Sequence, residues 1–277
     1  MNSLGPFSID VLTLMLSATA AWWVARRWRR RQNPEEGKRA AGIVVDAIGA
    51  GLLAARLGFV VQNWQDYAPQ PLSIVTLGDG GYSWAWGMLV GALVAAWLAR
   101  GKAGVRKGAL VGLAFGSAAW LAMSFSLDWM SRAAPGLEAV HGNPSGPAVP
   151  TLSAAVGRPV VVNLWAAWCP PCRREMPAFA EAETQLPGVV FAMVNQGDEP
   201  ATALAFVQDN QLVFDHTYTD PSSETMLRFG ARVMPTTLLF DSQGRMVDMH
   251  VGEMTLAGLK AKVRQHFGSE PSKGPLE

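Results

Sequence analysis

Two cysteines separated by two prolines constrain this 277-residue chain more than any other feature. Cys169 and Cys172 are its only cysteines, and they follow an apolar run at residues 159–165 that is typical of a buried strand. A helix-like stretch at residues 173–186 comes next. Such a turn favours a redox-active dithiol, because the N–H groups and positive end of a helix stabilise a thiolate on the first sulfur. The second sulfur can then close a disulfide or attack a mixed one.

Other roles for a cysteine pair fit the residues less well. A zinc site needs about four ligands, and the four histidines (His141, His216, His250 and His266) are not in a zinc-binding spacing relative to the cysteines. A disulfide that closes so short a loop stabilises a fold only weakly. Capture of Cu(I) by the two thiolates stays open. The pattern favours redox chemistry, with no metal and no cofactor beyond the dithiol.

Charge is sparse and unevenly placed along the chain. The net charge is +1, and no basic stripe is interleaved with aromatic residues, so nucleic acid is not expected as a partner. The length allows one or two domains. The first half is rich in Ala, Gly, Leu and Trp, whereas the second half is typical of a globular domain. Because there is one cysteine pair, the chain has no second dithiol to relay electrons.

Four apolar stretches predict that the first half lies in a membrane. They cover residues 7–25, 41–61, 82–99 and 108–127, and each is about 18–21 residues long. A helix of that length can cross about 30 Å of hydrocarbon. We therefore expect an all-α four-helix transmembrane domain over residues 1–130, in contact with membrane lipids.

The loops between these stretches differ in charge, which predicts their orientation. The Lys and Arg residues are Arg26, Arg27, Arg29, Arg30, Arg31, Lys38 and Arg39 in the first loop and Arg100, Lys102, Arg106 and Lys107 in the third. The second loop, residues 62–81, has Asp66 and Asp79 but no Lys or Arg. The positive-inside rule places the first and third loops in the cytoplasm, and everything after Leu127 outside. No basic residue precedes the first stretch, so a cleaved signal peptide is not expected.

The second half predicts a tethered α/β domain. Residues 131–150 are rich in Pro and Gly, which favours a semi-flexible linker. Residues 151–268 then alternate strand-like and helix-like stretches, followed by a hairpin around residues 241–244 and a closing helix. Residues 269–277 are expected to form a flexible tail.

The cysteine segment resembles a known family. Residues 161–177 read VVNLWAAWCPPCRREMP, which is similar to the active-site segment of TlpA-like thioredoxin-fold oxidoreductases. Residues 233–237 read VMPTT and resemble the cis-proline loop of that family. The likeness spans about 120 residues, from Thr151 to Gly268. It implies a thioredoxin-like α/β domain, with a central mixed sheet flanked by helices, that exchanges thiols and disulfides.

The resemblance also implies roles for individual residues. Cys169 would be the attacking thiolate and Cys172 the resolving thiol. Trp168 would form an exposed apolar wall beside Cys169. Pro235 would be the cis-proline that faces the dithiol, and Met234 would offer its backbone to an extended substrate by strand addition.

Two further positions follow the family pattern. Asn163 occupies the place where other thioredoxins carry a buried Asp, and TlpA-like proteins commonly have Asn there. Glu175 fits the family pattern and would assist proton transfer, with a helix-surface carboxylate as the alternative.

The implied function is reduction of protein disulfides outside the bacterial cytoplasmic membrane, in the periplasm. Disulfide-bearing client proteins would be the substrates, and a separate transmembrane thiol reductase would supply electrons. The resemblance also connects the chain with cytochrome c maturation. Two alternatives stay open. One is an oxidase of protein thiols that uses the same dithiol, and the other is a copper-binding assembly factor.

The N-terminal half has a resemblance of its own. Residues 5–9, 55–59 and 80–84 read GPFSI, ARLGF and GGYSW, and they are similar to early membrane segments of prolipoprotein diacylglyceryl transferases. The likeness covers roughly residues 4–100. The His-Gly-Gly of that family is replaced by AWG at residues 85–87, and its downstream signature has no counterpart. The resemblance therefore implies a degenerate scaffold or anchor, and not lipid transfer.

Overall fold

The structure, a computed structural model of the chain, has two compact units. It describes residues 3–4, 7–27, 33–68, 71–76, 78–100, 103–131, 135–144, 152–155 and 157–268. One unit is helical and comprises Ile9–Gln65 and Gly81–Asp128. The other unit, called the redox unit below, takes in the described residues before Ile9, those of Asp66–Gly80 and those after Asp128.

The helical unit consists mainly of long apolar helices. The described elements of the first half are β1 (Ser3–Leu4), β2 (Phe7–Ser8), α1 (Ile9–Arg27), α2 (Pro34–Gln62), α3 (Trp64–Tyr67), α4 (Trp84–Leu98) and α5 (Ala103–Ser131). The start of α2 follows from its sequence, because Asn33 caps the helix by accepting a hydrogen bond from the Glu36 N–H, and Pro34 occupies the first position. Acidic Glu35 and Glu36 then lie at the positive end of the helix dipole.

Glycines set the close approach of these helices. A Cβ atom on Gly51 of α2 would lie 2.9 Å from the carbonyl oxygen of Gly87 in α4. A Cβ atom on Gly112 of α5 would lie 2.7 Å from the carbonyl oxygen of Ala21 in α1. The small residues therefore face inward and allow backbone contact, as is common between membrane helices.

The outer surface of this unit carries large apolar side chains. Leu53, Val61 and Phe125 have between 69% and 73% of their surface exposed. Among the described residues, Pro34–Gln62 and Ala103–Ser126 are long and apolar enough to cross a membrane, and Trp84–Leu98 is a shorter apolar helix. The helical character predicted for the first half is confirmed. The predicted four-pass arrangement needs more spans than these two, and it stays a prediction.

The redox unit is built on a mixed sheet. Its strands in the described residues are β3 (Asn143–Pro144), β4 (Val160–Trp165), β5 (Val190–Gln196), β6 (His216–Asp220), β7 (Thr236–Phe240) and β8 (Met246–Val251), in the order β3-β6-β5-β4-β7-β8. Strands β4, β5 and β6 are parallel, whereas β3, β7 and β8 each pair antiparallel with their neighbours. The predicted α/β domain with a central mixed sheet is confirmed.

Helices cover this sheet and bury β4 on both faces. They are α6 (Pro170–Gln185), α7 (Pro200–Asp209), α8 (Glu224–Phe229) and α9 (Leu256–Phe267). Val161 and Trp165 contribute to one core with Phe179 of α6, and Val162 and Leu164 contribute to the core on the opposite face. Successive strand side chains point to opposite faces, so a strand buried on both sides must be apolar throughout. This explains the continuous apolar run before the cysteines.

Part of the predicted linker is folded, which corrects the expectation for residues 137–144. Leu137 is 4% exposed and belongs to the core beneath the sheet. The His141 N–H donates to Thr225 Oγ1 (2.9 Å), whose hydroxyl donates to the His141 carbonyl (2.7 Å). Next to it, β3 pairs with β6 and forms one edge of the sheet. Pro144 is tolerated there because an edge position needs no second ladder of hydrogen bonds. Residues 145–150 and the tail 269–277 lie outside the described residues.

Replacing Phe179 by alanine should lower the free energy of unfolding of the redox unit by about 3–5 kcal/mol, as for other buried aromatic residues. The ring is fully buried and meets Phe191 edge to face, with ring centroids 6.5 Å apart. Hydrogen exchange of the β4 and β5 amides in the purified full chain measures this change.

Val213→Ala is the matched control, because Val213 is 77% exposed and its loss should change stability by less than about 0.5 kcal/mol. An equal effect of the two substitutions would contradict the assignment of Phe179 to the core.

Candidate active site

The two cysteines form a disulfide at the N-terminus of α6. Their Cα atoms are 5.3 Å apart, and Cys169 is the residue that caps the helix. Pro170 and Pro171 fill the first two helical positions and have no N–H to leave unpaired. The next N–H, that of Cys172, donates to Cys169 Sγ over 3.3 Å. The first sulfur therefore lies where a helix stabilises negative charge.

Exposure differs sharply between the dithiol and the residue before it. Cys169 is 3% exposed and Cys172 is fully buried, so in the disulfide form the attacking sulfur has only slightly more accessible surface than its partner. Trp168 is 67% exposed, while Trp165 is 2% exposed and lies in the core. The exposure of Trp168 agrees with the prediction. Trp168 therefore forms an apolar surface directly beside Cys169.

The loop before β7 is packed against the same apolar cluster as the dithiol. The Met234–Pro235 peptide bond is cis, as the resemblance implied. Met234 is half-buried and contacts the cluster that contains both cysteines. The Pro235 carbonyl accepts a hydrogen bond from the Gly252 N–H (2.9 Å). Contact of this loop with a substrate stays a prediction.

Glu175 is buried one helical turn after Cys172, with 1% of its surface exposed. Its Oε1 accepts a hydrogen bond from Asn163 Nδ2 (2.7 Å), and its Oε2 accepts one from the Met254 N–H (2.8 Å). Burial raises the pKa of this carboxyl to about 8, although the two hydrogen bonds oppose the rise. The alternative of a helix-surface carboxylate is therefore wrong.

Asn163 gives this carboxyl a partner in either protonation state. Its Nδ2 donates to Glu175 and also lies 3.2 Å from Thr237 Oγ1. Among the described residues, its buried Oδ1 has no hydrogen-bond partner. Rotation of the amide about its last bond would turn Oδ1 toward a protonated Glu175, which could then donate. The site can therefore hold or release a proton with little change in shape.

Sequence reasoning missed a carboxylate that holds the turn before the dithiol. Asp198 Oδ2 accepts hydrogen bonds from the Ala167 N–H (2.7 Å) and from Asn195 Nδ2 (2.8 Å). The same turn is closed by a bond from the Cys169 N–H to the Ala166 carbonyl (3.1 Å). Because β4 and β5 are parallel neighbours, the residues after each strand meet at one edge of the sheet. The Asn-x-x-Asp pattern at the carboxyl end of β5 was the available signal.

Arginines lie on the exposed side of α6. Arg174 is 60% exposed at its side chain and pairs with Glu253 over 2.6 Å. The Arg173 guanidinium lies 5.3 Å from the ring centroid of Phe206.

In the part of the chain that the structure describes, no group of three or more His, Cys, Asp or Glu residues could hold a metal ion.

Both halves of the chain match known families. Residues 133–263 match the family model of Redoxin, and residues 1–123 match that of prolipoprotein diacylglyceryl transferase.

Three curated relatives resemble the second half. The thiol:disulfide interchange protein DsbE homolog of Paracoccus denitrificans is 34% identical over 94 residues, which cover 34% of this chain and 51% of the relative. The thiol-disulfide oxidoreductase ResA of Halalkalibacterium halodurans is 35% identical over 101 residues, covering 36% and 57%. The thioredoxin-like protein YneN of Bacillus subtilis is 30% identical over 121 residues, covering 41% and 68%. The chain thus spans about half the length of the first two relatives.

Stability should depend on pH through Glu175. A carboxyl with a pKa of about 8 when folded and an ordinary value of 4.5 when unfolded binds a proton between these values only in the folded state. The free energy of unfolding should therefore fall as pH rises from about 5 to 8, by on the order of 4 kcal/mol. Glu175→Gln, which resembles the protonated acid, should remove this part of the fall. Urea unfolding of the purified chain measures it.

The difference between the pH profiles of unfolding free energy for the parent chain and Glu175→Gln reports the contribution of Glu175. Glu183 is half-buried and has its pKa raised to about 7 by partial burial, so it contributes a fall of the same sign to both proteins. Glu199→Gln, at an exposed position, is the matched control and should behave like the parent chain. Identical pH profiles for the parent and Glu175→Gln would contradict the raised pKa.

Proposed function

Because the chain belongs, through its C-terminal half, to the thioredoxin-fold family Redoxin, we propose that it is a membrane-anchored thiol–disulfide oxidoreductase. The observation that carries this proposal is the Cys169–Cys172 disulfide at the start of α6, directly after the buried strand β4. The exposed Trp168 beside it supports access by a protein substrate.

The proposed reaction is a two-step exchange with a client disulfide. The Cys169 thiolate attacks one client sulfur, so that a mixed disulfide forms and the other client sulfur leaves as a thiolate. The Cys172 thiolate then attacks Cys169 Sγ, which breaks the mixed disulfide and releases the second client thiolate. The client gains two electrons, and the protein ends with the Cys169–Cys172 bond present in the structure.

Chain groups assist each step. The Cys172 N–H bonded to Cys169 Sγ supports the first sulfur as a thiolate and as a leaving group. Cys172 is fully buried and must lose a proton before it attacks. Glu175 lies one turn further along the helix. With a pKa of about 8 it is mostly protonated near neutral pH, and its ionised form, whose share grows toward pH 8, is the one that can accept that proton.

Substrate binding is proposed at the two surfaces beside the dithiol. Trp168 offers an apolar contact, and the backbone at Met234 offers hydrogen bonds to an extended client segment. Pro235 shapes this loop through its cis bond. The clients are proposed to be disulfide-bearing proteins, including those of cytochrome c maturation. The Paracoccus relative is named a thiol:disulfide interchange protein, which agrees with such exchange.

Reduction is proposed as the direction, because the active-site segment resembles TlpA-like proteins. The chain contains one cysteine pair, so a separate transmembrane thiol reductase must return electrons to it. The oxidase alternative uses the same dithiol with electrons moving the opposite way.

The location is proposed to be the bacterial inner membrane, with the redox domain in the periplasm. The apolar helices and the prolipoprotein diacylglyceryl transferase match support a membrane anchor. The basic first and third loops favour four passes, with the redox domain on the outer side. We propose a transmembrane domain at 1–130, a redox domain at 151–268 that also takes in the folded residues 137–144, a linker over the rest of 131–150, and a tail at 269–277. The replaced His-Gly-Gly motif supports a role for the first domain as scaffold.

A Cys172→Ser variant should trap the proposed mixed disulfide. Without the resolving thiol, Cys169 stays bound to its client, so covalent adducts sensitive to dithiothreitol should accumulate in membranes and name both client and donor. Cys169→Ser is the matched control and should form no adducts, because Cys172 is fully buried. Adducts that form equally in both variants would contradict the assigned order of attack.

The reduction potential of the dithiol should distinguish the directions. A value near that of thioredoxin, about −270 mV, is expected for the proposed reductase, whereas a value near that of DsbA, about −120 mV, would support the oxidase. Equilibration of the purified chain with glutathione measures it. A chain that fails to reduce insulin but binds Cu(I) at equal stoichiometry would instead favour the copper-binding alternative.

A further inference from the structure

The described residues of 66–80, which are 66–68, 71–76 and 78–80, lie in the first half of the sequence but fold with the second half. They form part of the second interhelical loop, between α2 and α4, and fall inside the prolipoprotein diacylglyceryl transferase match. The redox unit nevertheless includes Asp66–Gly80 together with the residues that match Redoxin. This segment is called the strap below.

The main contact of the strap is made by a buried carboxylate. Asp79 has no exposed surface, and its Oδ2 accepts hydrogen bonds from the Tyr67 hydroxyl and from Thr255 Oγ1, each 2.9 Å long. Thr255 caps α9, and its hydroxyl oxygen also accepts a bond from the Gly258 N–H (3.1 Å). The carboxylate of Asp79 therefore lies at the positive end of the α9 dipole, where a negative charge is stabilised.

A second contact joins the other end of the strap to the same helix. Lys260 Nζ lies 2.5 Å from Asp66 Oδ1 and 3.0 Å from Gln185 Oε1, at the last residue of α6. The side chains of Lys260 and Asp66 are only 18% and 14% exposed. Partial burial makes such an ion pair less subject to screening than a surface pair.

The strap backbone lies close to α9 at Gly258, which has no side chain. A Cβ atom on Gly258 would lie 2.6 Å from the Asp79 carbonyl oxygen, which is closer than any side chain can approach. Glycine in a helix lowers its stability relative to alanine, so its presence here needs a reason. Close approach of the strap backbone supplies that reason.

The turn that carries Thr255 also contacts the active-site helix. Glu253 pairs with Arg174, and the Met254 N–H donates to Glu175. Thr255, the next residue, donates to Asp79. Three consecutive residues therefore connect α6, directly after the dithiol, with the strap.

We propose that the strap docks on the N-terminus of α9 and braces the turn at residues 253–255 that supports Glu175. The redox domain is then joined to the membrane helices through the docked strap as well as through the linker. Docking requires the strap and the redox domain to be on the same side of the membrane, which is what the loop charges predict. The proposal goes beyond the reaction itself and holds for either direction of electron flow.

Gly258→Ala tests docking, because it should speed hydrogen exchange if the strap is docked and slow it if the strap is undocked. If the strap docks, the added methyl group should displace it, and hydrogen exchange should become about tenfold faster or more in residues 66–80 and at Met254. If it does not dock, alanine should only favour the helix and slow exchange in α9, and that result would overturn the proposal. Exchange is followed by mass spectrometry of the full chain.

Gly49→Ala is the matched control, since Gly49 is also helical and nothing lies within 4 Å of the added atom. It should leave exchange in the strap unchanged. Asp79→Ala should repeat the effect of Gly258→Ala, whereas Asp79→Asn keeps an acceptor for Tyr67 and Thr255 and should restore slow exchange at Met254.

If Gly258→Ala unfolds the redox domain, charge-reversal variants of the Asp66–Lys260 pair test docking instead. Asp66→Lys or Lys260→Asp alone should speed exchange in the strap, and the double variant should restore it. Single reversals that leave strap exchange unchanged would overturn the proposal. None of these measurements uses redox activity, so a chain that proves inactive as an oxidoreductase could still support docking.

Discussion

Burial of β4 on both faces is the constraint on which the redox domain depends. The strand is held between α6 on one face and a second apolar core on the other, so its position is set by packing on every side. Its carboxyl end delivers the dithiol to the start of α6, and Asn163 is its single polar residue. The same strand thus places the sulfur atoms and supplies the amide that faces Glu175.

Much of this arrangement could be predicted from local sequence, because the signals are short-range. The apolar run predicted β4, the cysteine spacing predicted the redox turn, and the contrast between Trp165 and Trp168 followed from their places in strand and loop. The burial of Glu175 could not be predicted, since its partner Met254 lies 79 residues away. Residues 137–144 look like a linker because edge pairing leaves no periodic apolar pattern.

The two halves of the chain differ in where their small and their large apolar residues lie. In the helical unit, glycine and alanine form the helix contacts and large apolar side chains face outward. In the redox unit, large apolar side chains fill the interior. This contrast agrees with the membrane anchor proposed for the first half. In the strap, Tyr67 is fully buried as in the redox unit, whereas Leu72 and Val75 are exposed.

The short strand β3 has a consequence for how the domain avoids aggregation. An uncovered edge strand offers a row of unpaired backbone groups that can recruit strands from other chains. Pairing of Asn143 and Pro144 with Thr219 and Tyr218 covers part of the β6 edge, and a proline cannot extend the ladder outward. Without β3, the β6 edge would offer strands from other chains a template for sheet growth.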